Sequence, residues 1–92
     1  MEERICVVRR WLESEVGTQF VLQYDILVDL APLPGGGELE LFGVAVRNMQ
    51  TGEETGVPAI FLHMEEAEAL VEKLAAGAVT PCTMRDVVED YI

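Results

Sequence analysis

Ninety-two residues carry seventeen Asp and Glu against six Lys and Arg, a formal net charge of −11, and half of the residues are hydrophobic. A chain of this length supports one core, burying about 60 to 65 per cent of its unfolded surface, and it is too apolar for disorder, so a single domain over residues 1–92 is expected. The charge repels phosphate backbones and argues against nucleic-acid binding, and no apolar run of about 18 residues is present to cross a membrane.

Residues 3–13 read as a strand rich in β-branched and aromatic side chains, with Ile5, Val7 and Trp11 on one face and Cys6, Val8 and Leu12 on the other. A polar break with Gly17 follows. Phe20, Leu22, Tyr24, Ile26 and Val28 then alternate with Val21, Gln23, Asp25, Leu27 and Asp29, the clearest period of two in the chain. The first two strands are expected to form an antiparallel hairpin. Pro32, Pro34 and the run Gly35, Gly36, Gly37 make a loop. A third strand spans 39–47, with Leu39 and Leu41 on one side and Phe42, Val44 and Val46 on the other. Thr51-Gly52 signals a turn, and 55–61 form a shorter strand that Pro58 assigns to an edge or to irregular geometry.

The period changes next. Ala67, Leu70, Val71, Leu74 and Ala75 recur at three and four, which predicts a helix over 64–76 ending at Gly77. Beyond Pro81, Thr83 can cap a second helix carrying Met84, Val87, Val88 and Tyr91 on one stripe, with Asp86 completing a capping box. The order predicts an α+β fold: a four-stranded antiparallel meander followed by two helices packed on one face.

The N-terminal Met1-Glu2-Glu3-Arg4 lacks the regions of a signal peptide. Cys6 and Cys82 are distant, form no CxxC and read as reduced thiols, so a cytoplasmic setting is expected. His63 is the only histidine. HMEE is not HExxH, and no second histidine joins it as a metal ligand, so neither a metal nor a cofactor is expected. Cys82 precedes a helix start, where a thiol can become reactive, whereas Cys6 alternates within an apolar strand. Ser14 lies in a turn with no motif around it. The three glycines precede a strand and no Lys-Ser or Lys-Thr, unlike a phosphate loop. Glu65, Glu68 and Glu72 read as a solvated helix face. Of the neighbours Arg9 and Arg10, one must point toward whatever covers the apolar side, with an ion pair to Asp25 or Asp29 as the structural reading.

The segments YDILVD (24–29), ELFGVAV (40–46) and above all VTPCTMRDVVEDYI (79–92) resemble an uncharacterised family of small proteins from clostridia-like Firmicutes, a domain of unknown function. The resemblance covers most of the chain and implies no activity, ligand or catalytic residue.

No polar constellation of the kind chemistry requires stands out, which favours a non-enzymatic interaction or regulatory module. The alternatives are a small-ligand site near His63, Trp11 and Tyr24 and an enzyme using His63 or Cys82. Two short helices cover one sheet face only, so the other, with Ile5, Val7, Trp11, Phe42 and Val44 as interface residues, is expected to meet a second copy in a homodimer, the competing covers being the loop 31–38 folded across it and a different protein. The acidity also suits a basic protein partner.

Overall fold

The computed structural model describes residues 2–92. Four strands, β1 (Glu2–Glu13), β2 (Gln19–Pro32), β3 (Glu38–Asn48) and β4 (Glu54–Phe61), precede the helices α1 (Met64–Ala76) and α2 (Met84–Tyr91). The sheet has the order β1-β2-β3-β4 with every pair antiparallel, the meander expected of this sequence. The glycine run closes a tight hairpin, with Leu33 N donating to the Gly37 carbonyl, so β2 and β3 extend further than their apolar patterns and pair as far as Pro32 and Glu38.

The helices cover the face carrying Leu22, Tyr24, Ile26 and Val28 of β2 and Phe42, Val44 and Val46 of β3. Against them lie all five residues of the α1 stripe, Ala67, Leu70, Val71, Leu74 and Ala75, together with Met84 and Val88 of α2. Tyr91 belongs to this stripe only in part. It is 42% exposed and stands edge-on to Phe61, with the ring centres 6.5 Å apart.

In β1 the structure departs from simple alternation. Cys6 pairs with Asp25 and Val8 with Tyr24, so Val7 is an extra residue in a β-bulge. One inserted residue inverts every side chain beyond it. Ile5 and Trp11, expected together, therefore lie on opposite faces, because Ile5 pairs with Ile26 and Trp11 with Val21. Val8 and Leu12 join the core, while Cys6 goes to the face away from the helices.

A second irregularity spans Pro58, Ala59 and Ile60 of β4, opposite the single residue Gly43 of β3. Ala59 takes a φ of 56° there. The backbone of β4 crosses so close that a Cβ on Gly43 would lie 2.3 Å from the Val57 carbonyl oxygen.

The end of α1 also differs from its sequence signal. Gly77 has an ordinary φ of −86°, and Ala78 takes the left-handed conformation at 50°. Ala78 N bonds the Ala75 carbonyl and Val79 N the Leu74 carbonyl, the two bonds of a Schellman motif with alanine where glycine is preferred. Arg10, on the helix side of β1, donates to the carbonyls of Ala75 (2.6 Å) and Ala76 (3.2 Å). A cation thus meets the negative end of the helix and satisfies its last acceptors. Replacing Ala78 with glycine relieves the left-handed strain at some cost in unfolded-chain entropy, so Ala78→Gly is expected to stabilise the protein by about 0.5 to 1 kcal/mol. Thermal unfolding should rise by roughly 2 to 8 °C, and an unchanged or lower midpoint would show that the motif bears no strain.

At α2, Thr83 makes no side-chain capping bond, so the capping box with Asp86 does not form. Its hydroxyl turns back to the Thr80 carbonyl at 3.4 Å, within the turn that delivers the helix.

Candidate functional site

The face away from the helices carries a polar chain across all four strands. Arg9 Nε donates to Gln23 Oε1 at 2.8 Å, and Gln23 Nε2 donates to Asp25 Oδ1 at 3.0 Å. Arg4 stands 3.6 Å from Asp25 Oδ2 and bonds Glu54 of β4, which also accepts from Arg47 Nε at 2.8 Å. Arg4 and Glu54 belong to the two outermost strands, which in a flat sheet lie about 14 Å apart at three strand spacings. Arg4 is level with Gly43 of β3 and Glu54 with Arg47, a further ~13 Å along the strands, so their contact requires the sheet to bend toward this face.

Curling hides the floor of the face. Val21, Gln23, Asp25, Leu27 and Ala45 are buried although no helix lies over them. Leu27 reaches across β3 toward β4, where a Cβ on Gly56 would lie 3.2 Å from its Cδ1. Small residues at 43, 45 and 56 leave space for this inward bend. Asp25 has no exposed surface, and among the described residues its Oδ2 has no hydrogen-bond partner beyond the ion pair with Arg4.

Arg4 and Arg47 hold the Glu54 carboxyl down to about 2 from an ordinary 4.5, chiefly through their hydrogen bonds. A carboxyl whose folded value is depressed stabilises the fold fully above its unfolded value and loses that contribution as pH falls through its folded one. The window here is therefore pH 4.5 down to about 2. With its side chain 32% exposed, Glu54 is well screened, and Glu54→Gln is expected to cost about 1 kcal/mol or less at neutral pH. Its signature is a shallower loss of stability in that acid window, measured by urea unfolding at stepped pH. Curves parallel to the parent's would show that the bridge contributes nothing.

The residues singled out from sequence do not converge. Tyr24 is buried in the core and donates its hydroxyl to the Val79 carbonyl at 2.9 Å. Burial raises its pKa, partly offset by the charge of Arg10, so the phenol keeps the proton it donates. Trp11 is on the other face of the sheet, 75% exposed. His63 is exposed at the N-cap position of α1 and makes no capping bond. Cys82 is exposed, its sulfur 3.6 Å from Thr80 Oγ1. A shared mouth for His63, Trp11 and Tyr24 does not form, since the sheet separates Trp11 from Tyr24.

Of the expected interface residues, Phe42 and Val44 are buried beneath the helices, Ile5 is half-exposed on the helix side, and Val7 is half-exposed at the bulge. Trp11 alone remains on the helix-free face. The expected pair of Arg9 or Arg10 with Asp25 or Asp29 is also replaced. Arg4 reaches Asp25, Arg9 meets Gln23, and Arg10 caps α1. Sequence reasoning passed over Arg4 and Gln23, whose only signal is a place on the same face as Asp25.

Among the described residues, no group of three or more His, Cys, Asp or Glu is placed to hold a metal ion, and no helix is long and apolar enough to cross a membrane. The model of a family of unknown function (DUF6514) matches residues 3–92. No curated protein and no solved structure matches the chain.

Proposed function

The chain belongs to this family of unknown function, and from that premise we propose that it is a non-enzymatic protein-interaction module of the cytoplasm that works as a homodimer. The observation that carries the reading is Trp11, three-quarters exposed on a sheet face that no helix covers. Large exposed aromatics are the side chains interfaces most often use as anchors. Trp11 also has a suitable counterpart in its own strand. Arg9 pairs with Gln23 and Trp11 with Val21, so both belong to the same face, and Gln23 orients the Arg9 guanidinium. Two copies related by a two-fold axis can lay Arg9 of each against Trp11 of the other, a reciprocal cation–π contact. With Phe42 and Val44 buried, the interface centres on Arg9, Trp11 and the bulged Val7.

Two copies of net charge −11 repel, so salt should strengthen their association by screening. Sedimentation equilibrium is expected to show a mass above 10.2 kDa that rises with protein concentration and with salt. The emission of Trp11, the only tryptophan, should shift to the blue in parallel. Trp11→Ser should return the single-chain mass. A parent protein that stays near 10.2 kDa throughout overturns the dimer. The same charge balance supports a role without nucleic acid.

A further inference from the structure

The helix side of the sheet is not covered to its end. Val28 and Phe42 pair beneath the helices and are 7% and 9% exposed, whereas in the next pair on that face, Leu30 with Glu40, Leu30 is 42% exposed. The β2–β3 hairpin therefore projects past the helices with an apolar strip on show. A shallow cleft of about 120 Å³ lies there, lined by Glu3, Val28, Leu30 and Glu40. Glu3 pairs with Val28 from β1 and Glu40 with Leu30 from β3, so one carboxylate stands on each side of the strip, with Glu38 beyond. Among the described residues, the helix-side positions of this end are Glu3, Ile5, Val28, Leu30, Pro32, Glu38, Glu40 and Phe42, with no lysine or arginine among them.

We propose that this cleft binds a basic, extended segment of a partner protein, one apolar side chain entering between Val28 and Leu30 while flanking arginines or lysines meet Glu3 and Glu40. Charge complementarity selects this occupant. A second copy would bring its own carboxylates against Glu3, Glu38 and Glu40, whereas a basic segment finds opposite charge on both banks and an apolar floor between them. The two banks are separated by two strand spacings, roughly 10 Å, and arginines placed two residues either side of a central leucine in an extended peptide span about 13 Å. The inference rests on the reading that this protein acts by contacting proteins, but it uses a surface on the other side of the sheet from Trp11.

The probe is the capped pentapeptide Arg-Ser-Leu-Ser-Arg, titrated into the whole protein while backbone amide signals are followed by NMR. Shifts centred on Val28 and Leu30 are expected, with affinity falling as salt rises, opposite to the salt response of the dimer. Removing both banks with Glu3→Gln and Glu40→Gln should weaken binding about ten-fold, while E68Q with E72Q on the exposed face of α1 changes it less than about two-fold. A peptide with glycine in place of leucine should lose binding. Equal weakening by the α1 pair, shifts centred elsewhere, no shift at millimolar peptide, or Val28 and Leu30 signals that move with protein concentration alone would each overturn the proposal. Because the dimer is read from mass and Trp11 emission, failure of one reading leaves the other's result distinct.

Discussion

Removal of residues 83–92 is expected to leave a chain that no longer folds. The segment contributes Met84 and Val88, only 0% and 1% exposed, the partly buried Val87, and the edge-on contact of Tyr91 with Phe61. Three apolar side chains at about 1.5 to 3 kcal/mol each amount to roughly 5 to 9 kcal/mol. A domain of this size has only about 5 to 14 kcal/mol in total. Deletion also removes the packing of α2 against α1 and β4. Far-ultraviolet dichroism should show lost structure and the thermal transition should disappear. The single replacement Met84→Ala, expected to cost about 2 to 5 kcal/mol, gives the graded version. A truncated protein with the parent's melting temperature would mean that α2 is a tail.

Gly43→Ala should be the most damaging exchange of one glycine. The new methyl would lie 2.3 Å from the Val57 carbonyl oxygen and 2.6 Å from the Pro58 Cα, both backbone atoms of the irregular part of β4. Neither can yield without moving the strand, so a loss of about 2 to 4 kcal/mol is expected, upwards of 10 °C in the melting midpoint. Gly56→Ala is the control. Its closest neighbour is the end of the flexible Leu27 side chain at 3.2 Å, which can turn away, and its cost should stay near 1 kcal/mol or below. Equal effects at the two positions would show that loss of glycine flexibility, rather than the crossing of β4, sets the penalty.

Much of the fold was legible because its signals are periodic. The stripe from Ala67 to Ala75 located α1, and the alternation in β2 separated its two faces without showing which of them the helices cover. What escaped was a matter of single residues. An inserted Val7 looks like any other apolar strand residue, yet it puts Ile5 and Trp11, expected on one face, on opposite sides of the sheet. Gly77 resembled a left-handed terminator, but the backbone places that conformation one residue later, at Ala78. The link from Arg4 to Glu54 was hidden because it joins residues from opposite margins of a sheet whose curl no local pattern announces. His63 and Cys82 stood out by rarity, which is a property of composition and not of position.

The irregularities in β1 and β4 have a consequence for self-propagation. These two are the outer strands, and each presents one unsatisfied backbone rim of the kind on which fibrils grow. The bulge at Val7 interrupts the first rim near its middle, with Arg9 and Arg10 just beyond. Pro58, which has no amide hydrogen, and the left-handed Ala59 interrupt the second. Neither margin offers an incoming strand an uninterrupted run of donors and acceptors, so a sheet with strands as long as fourteen residues stops at four of them.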